Sequence, residues 1–301
     1  MLQVARPRDQ NVHAAAQKRT HRRRSEMSAR GRITLWSAAL AASLAAGAAR
    51  AQETPTERAP VPAGPAAPRY RASLEYGLTT FRGGGSTDPW HTATAELSRR
   101  GGGATLVGRA NYAHRFGQDG VQVEADAYPR LTRRTYAYLN AGYSPSEIFP
   151  ELRLGAELYT GFGRGGEASL GARRLEFADE GVTLLTGSLG AYAGNYYFSA
   201  RPYVAPLDEG TSRSVTVLAR RYLADGDSHV TLSAGAGTAP TESPLQFELR
   251  RVSSRRVGAY GRLPVRPGVG VRWSAGYERE EITRGAPRDR FNVGVGAERR
   301  F

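Results

Sequence analysis

Residues 121–128 read VQVEADAY. Val121, Val123, Ala125 and Ala127 take one set of alternate positions, and Gln122, Glu124, Asp126 and Tyr128 take the other. Successive side chains of a strand point to opposite faces, so this stretch is extended, with one apolar and one polar face. The same period returns three times. Leu152, Leu154, Ala156 and Leu158 alternate with Glu151, Arg153, Gly155 and Glu157; Val230, Leu232, Ala234 and Ala236 alternate with His229, Thr231, Ser233 and Gly235; Val269, Val271, Trp273, Ala275 and Tyr277 alternate with Gly270, Arg272, Ser274, Gly276 and Glu278. From Arg69 onward no stretch keeps a helical period.

Soluble sandwiches manage with strands of about five or six residues. The alternating stretches here run to about nine to thirteen, the length at which a tilted strand crosses a bilayer. In lipid every backbone polar group must be paired, and strands achieve this only in a closed barrel. The expected fold is all-β, a transmembrane antiparallel up-and-down barrel with an apolar exterior and a polar lumen. Fourteen strands are expected, at 69–81, 90–99, 104–116, 121–131, 135–143, 151–162, 167–177, 182–193, 196–204, 214–223, 228–237, 253–265, 269–281 and 289–301. Twelve remain an alternative, with two of the shorter ones absorbed into their neighbours.

An even count puts both ends of the barrel on one rim. The gaps 82–89, 117–120, 144–150, 178–181, 205–213, 238–252 and 282–288 fall on the other rim and include the long ones. The gaps 100–103, 132–134, 163–166, 194–195, 224–227 and 266–268 are short, as periplasmic turns of outer-membrane barrels are. Tyr70, Tyr112, Tyr143, Tyr192, Tyr203 and Tyr277 lie towards strand ends, where an amphipathic ring suits the headgroup region.

The formal charge is +14, and residues 1–51 supply ten Lys and Arg against Asp9 and Glu26. The remaining excess is mild and accompanies no nucleic-acid motif, so nucleic acid is not an expected partner. Arg30 and Arg32 precede an apolar run from Ile33 to Ala49, and Ala49 and Ala51 frame an A-x-A site before Gln52. That is the pattern of a secretory signal cleaved after Ala51. Its basic flank lies so far from Met1 that Met27 is the expected start. Residues 52–68 are rich in Pro and Ala and read as a disordered linker, so the domains are 1–51, 52–68 and a barrel at 69–301.

Alternation assigns Glu75, Glu96, Arg109, Glu124, Asp126, Arg153, Glu157, Arg173, Arg220, Arg272, Glu278, Arg290 and Glu298 to the lumen. Charges there must pair or stay wet. Six of them are the candidate lumen residues: Glu124, Asp126, Arg153, Glu157, Arg272 and Glu278. The two signs balance, so no strong ion selectivity follows. Tyr136, Tyr138, Tyr159 and Arg153 are candidate rungs for a passing glycan. There are no cysteines, and the barrel region holds only His91, His114 and His229. His114 with Glu124 or Asp126 is the best-placed pair for an enzyme, but no third group completes a catalytic set. No catalytic, cofactor or metal residue is assigned, and a non-enzymatic barrel is expected.

With the strands in place, WHTATAELSRR, GRANYAHRFGQDGVQVEADAYPRL, TYAYLNAGYS, PELRLGAELY, GSLGAYAGNYYFSARPYV, ARRYLADGDSHVTLSAGAG and the final VGVGAERRF are similar, in order, to the YaiO family of outer-membrane β-barrels. The resemblance spans about 69–301. It implies a Gram-negative outer-membrane location, with outer-membrane lipids and surface-glycan export or synthesis components as partners. The 17-residue linker is too short for the tetratricopeptide unit that some relatives carry.

The final strand places Phe291, Val293, Val295 and Ala297 on the lipid face. With Phe301 they resemble the signal read by the outer-membrane barrel assembly machinery, a further expected partner. Arg299 stands where that signal commonly has an aromatic. Three functions are in play: a narrow pore or export barrel, a non-conducting structural barrel that meets a partner, and a lipid- or glycan-modifying enzyme.

Overall fold

The computed structural model describes residues 69–84, 88–178, 181–207, 210–238, 253–283 and 286–301. The expected leader with Ala49, Ala51 and Gln52, the linker, and residues 239–252 of the long connection lie outside them.

Fourteen strands follow one another: β1 Tyr70–Gly83, β2 Trp90–Gly101, β3 Ala104–Arg115, β4 Gln118–Pro129, β5 Thr135–Tyr143, β6 Leu152–Phe162, β7 Gly166–Glu176, β8 Gly181–Ala193, β9 Tyr196–Leu207, β10 Gly210–Tyr222, β11 His229–Gly237, β12 Ser254–Arg266, β13 Val269–Thr283 and β14 Ala286–Arg300. Each pairs antiparallel with the next, and β14 returns to β1, so the sheet closes. Along that seam Leu74 lies opposite Ala297, Tyr76 opposite Val295 and Leu78 opposite Val293. It ends in a reciprocal pair: the Tyr70 N–H donates to the Phe301 carbonyl at 2.9 Å, and the Phe301 N–H to that of Tyr70 at 3.0 Å. Closure leaves no edge strand to be satisfied by another chain.

The two faces invert the pattern of a soluble protein. Leu170 is 76% exposed, Leu74 62% and Val295 59%, while Glu157, Arg173 and Arg290 are buried. Soluble monomers do not expose aliphatic side chains in a continuous belt. Here alternate residues of successive strands build one, and lipid is the solvent it fits.

The strands run further than the sequence suggests on the rim of the long gaps. The expected gap 117–120 is a two-residue turn, because β3 and β4 stay paired out to Arg115 opposite Gln118. Phe116 and Gly117 take φ of 55° and 72°, the positive pair whose twist matches that of a hairpin. Phe116 is held there by edge-on packing against Trp90, ring centres 4.9 Å apart. The gap 205–213 likewise shrinks to 208–209, since Leu207 pairs with Gly210. The contrast in loop length between the rims is therefore smaller than expected. It rests on 84–89, 144–151 and 238–253, against 102–103, 130–134, 163–165, 194–195, 223–228 and 267–268.

Connection 144–151 folds inward. The Ser144 hydroxyl donates to the Val121 carbonyl at 2.6 Å, and the Val121 N–H donates to Ser146 Oγ at 3.1 Å. Ile148 and Phe149 are thereby buried against Ala113. Gly120 makes room: a Cβ there would lie 2.5 Å from Ile148 Cγ1. Two of the six tyrosines expected at headgroups are corrected too. Tyr192 and Tyr203 share the inward parity of Tyr197, and Tyr203 is fully buried.

Candidate functional site: the charged lumen

The inward side chains form four ionic groups, each drawn from several strands. At mid-height Arg109 on β3 meets Glu96 at 2.9 Å, Glu124 at 3.4 Å, and Asp126. Asn140 donates to Asp126 at 2.6 Å and Asn111 to Glu124 at 3.1 Å, completing both carboxylates. Arg153 approaches Glu124 at 3.8 Å. Arg272 on β13 extends the group to Glu75 and Glu96, each at 3.5 Å, and donates to Ser73 Oγ at 3.0 Å.

A second group centres on Glu157. Arg173 and Arg201 each reach it at 2.7 Å, one guanidinium on each oxygen. Arg201 also donates to the Tyr159 hydroxyl at 2.9 Å, and Arg173 lies 4.5 Å over the Tyr138 ring. Around them runs an arc of inward tyrosines. Tyr136 stacks on Tyr159 at 4.7 Å, Tyr128 packs on Tyr138 at 5.2 Å, and Tyr192 on Tyr197 at 4.6 Å. Tyr136 and Tyr197 both donate to Glu167.

The third group lies towards the long-gap rim. Arg288 meets Glu280 at 2.6 Å, and Arg290 bridges Glu280 at 2.5 Å and Glu278 at 3.5 Å. Aromatic rings cap it. Trp90 packs edge-on against Phe81 at 4.4 Å, Arg290 sits 5.4 Å over Trp90, and Arg115 lies between Trp90 and Phe149. Desolvated guanidinium over an aromatic face is a favourable contact.

The fourth group closes the short-turn rim. Glu298 pairs ionically with Arg262 at 2.7 Å and accepts from Arg300 at 2.9 Å. Asp227, in the turn 223–228, reaches Arg71 at 2.5 Å, Arg300 at 2.8 Å and Arg262 at 3.2 Å. Thus one turn reaches strands β1, β12 and β14. Burial opposes ionisation of Asp227, but Arg71, Arg262 and Arg300 together outweigh it and hold the carboxyl below its usual range. Asp225 is lowered as well: partial burial works against this, and the Ser228 hydroxyl and the Ser228 and Asp227 N–H groups prevail.

All six candidate lumen residues are buried: Glu124, Asp126, Arg153, Glu157, Arg272 and Glu278. They do not form one site. Glu124, Asp126, Arg153 and Arg272 belong to the mid-height group, Glu157 to the second and Glu278 to the third. Sequence reasoning missed Arg201, Arg262, Glu280 and Arg288. Arg201 could have been found from its parity with Tyr197 and Tyr203; Arg288 lies in a part of β14 read as loop.

The lumen is not uniformly packed. Ser233, Gly235, Gly258, Ser274, Gly276 and Gly294, facing in from β11–β14, are small and only half-buried. The wall of β11–β14 is therefore low midway along its strands, between the charged side chains that β12–β14 themselves carry, whereas the facing wall is dense with Arg, Glu and Tyr.

The pairing of His114 with Glu124 or Asp126 does not occur. Arg109 lies opposite Glu124, so Glu124 shares the inward parity of β3, whereas His114 lies opposite Asp119 on the outward parity. His114 Nδ1 is 2.9 Å from Asp119, on the outer face. His91 is its neighbour, ring centres 6.4 Å apart, and contacts the Tyr76 hydroxyl at 2.5 Å. His229 is buried inside, near the turn 223–228. Among the described residues no group of three His, Asp or Glu side chains is arranged to hold a metal ion.

Residues 69–242 match the YaiO membrane beta barrel domain, more than half of the chain. The chain belongs to the YaiO family. Among curated proteins none matches this YaiO-family chain. Among solved structures, one described as a monoaromatic hydrocarbon channel, CymD, superposes with a TM-score of 0.54 at 6% identity, covering 78% of this chain and 89% of that one. A "Bacterial polysaccharide outer membrane secretin" superposes with a TM-score of 0.50 at 9% identity, covering 78% and 99%. At such identities the likeness is one of fold, that of outer-membrane barrels. Phe291, Val293, Val295 and Phe301 all lie exposed on the outer face of this family member.

Proposed function

We propose that this YaiO-family barrel is a non-enzymatic, narrow conduit of the outer membrane, closed at rest, that serves export of a polar polymer of the surface-polysaccharide class. The observation that carries the reading is the low wall of β11–β14. Inward Ser and Gly midway along it stay partly accessible to water, while ionic groups occupy its ends and the rest of the lumen. A passage along that wall is narrow and bounded by both signs of charge, which suits a hydrated, hydroxyl-rich cargo better than a single ion. The tyrosine arc at the short-turn end adds flat rings of the kind on which sugars stack. The short-turn rim then faces the periplasm, as in outer-membrane barrels generally.

Planar-bilayer recording tests it. The wild-type protein should give rare, small openings, and Ser233→Trp with Ser274→Trp should suppress them by filling the low wall. Removing Arg109 and Arg272 together should raise conductance. A second reading, a non-conducting interaction barrel, is favoured by the dryness of the lattice, with Arg290 at 0% and Glu298 at 2% exposure. Silence of both the wild type and the lattice variant would select it.

A further inference from the structure

The two rims differ in charge. On the short-turn rim Arg99, Arg100, Arg130, Arg133, Arg134 and Arg299 are all exposed, and among its described residues Asp225 is the one exposed carboxylate. The opposite rim mixes signs, with exposed Arg174, Arg213 and Arg279 beside Asp119, Glu147 and Glu281. The basic rim also carries an outward aromatic collar. Tyr70 stacks on Phe301 at 5.8 Å, Phe162 is exposed, and Arg221 lies 5.9 Å over the exposed Tyr196. Aromatic rings between apolar band and water mark the level of lipid headgroups, so the arginines stand where lipid phosphates would be.

The seam concentrates this arrangement. Arg299 on β14 lies opposite Ala72, and Arg99 on β2 lies opposite Tyr70, so β1 runs between the two guanidinium stems. All of these face outward. Strands lie about 4.8 Å apart, which puts the two arginine strands roughly 10 Å from each other. The small Ala72 leaves a notch beside them, level with Leu97 and Arg299, with exposed Leu74 on its membrane side and Tyr70 and Phe301 on its rim side. Neither arginine forms an ion pair among the described residues. Buried Arg262 and half-buried Arg71 and Arg300, by contrast, are used by Glu298 and Asp227. A flat, forked donor on each side of an apolar notch is matched to a phosphate with acyl chains above it.

We propose that the outer face of the β14–β1–β2 seam is a binding site for an anionic glycerophospholipid, whose phosphate is clamped by Arg99 and Arg299. The site explains why β14 carries an arginine on its lipid face: the charge is a ligand for the headgroup, and its aliphatic stem covers the apolar band. The choice of a phospholipid rather than a lipopolysaccharide rests on the orientation adopted above, which turns this rim to the phospholipid leaflet.

The test is native mass spectrometry of the full-length protein, purified folded in detergent and offered phosphatidylglycerol, phosphatidylcholine or purified lipid A. Phosphatidylglycerol should be retained over phosphatidylcholine. The double variant R99A/R299A should weaken that retention about thirtyfold, roughly a factor of five per charge. R99K/R299K should recover only part of it, since an ammonium keeps the charge but not the fork, and R174A/R213A on the other rim should change nothing. Equal retention by the wild type and R99A/R299A, with the heat-shifted gel band intact, would overturn the site and leave the conduit reading standing. Preference for lipid A would overturn the phospholipid assignment and reverse the orientation. Should R99A/R299A fail to fold, R99Q/R299Q and the salt dependence of the wild type decide instead, since a phosphate clamp loosens steeply as salt rises.

Discussion

Glu157 and Arg201 are 44 positions apart in the chain and 2.7 Å apart in the lumen. Arg173 closes on the other oxygen of Glu157 at the same distance. One buried carboxylate is thus shared by two buried guanidiniums. Glu157→Gln removes the charge that both guanidiniums share, and breaking a buried pair in this way costs about 3 kcal/mol or more. Urea unfolding of the detergent-folded barrel should show that loss. The double variant E157Q/R201Q should lose less than the two single variants summed, because the pair is coupled.

Trp90 is the keystone of the aromatic cap, touching Phe81, Phe116, Arg115 and Arg290. Trp90→Ala should destabilise by about 3–5 kcal/mol, as for a core aromatic, with Trp90→Phe costing far less. Trp90→Ala should also increase single-channel conductance, since it removes inward-facing bulk near the long-gap rim.

Deleting Phe301 removes the ring stacked on Tyr70 and one end of the reciprocal backbone pair that closes the seam. In purified, detergent-refolded protein the loss should be about 1 kcal/mol, the worth of one aromatic pair. In cells the heat-shifted band should fall severalfold if the terminal strand is the assembly signal that its sequence resembles. Normal cellular assembly of the truncated protein would show that Phe301 serves the seam alone.

Acid should loosen the turn 223–228. The Asp227 carboxyl titrates below its ordinary 3.8 because three arginines outweigh its burial. A depressed carboxyl contributes stability that is complete above its unfolded pKa and lost as pH falls through the folded value. Stability should hold flat down to about pH 4 and drop below it. Asp227→Asn should lower the plateau and blunt that acid limb, as read by thermal unfolding across pH.

Strand identity, face and number follow from alternation, which is local: VQVEADAY declares its own two sides, and Phe291, Val293 and Val295 theirs. The six lumen candidates were legible for the same reason, since parity alone sends Glu124 and Arg272 inward. The limits of β4, β9 and β10 were less legible, because 118–120, 205–207 and 210–213 read as connections while pairing carries the strands through them.

What no local pattern carries is which inward charge meets which. Arg71 and Asp227 lie 156 positions apart, and Arg272 and Glu96 lie 176 apart. Such pairs exist because closure curls strands remote in sequence around one lumen, where long side chains reach over their neighbours. The inward fold of 144–151 belongs to the same class, its trace in the sequence a bare Gly120 that means nothing until Ile148 is beside it. Alternation is a property of one strand and can be read along the chain; partner choice is a property of the closed cylinder and arises only when the sheet meets itself at β1 and β14.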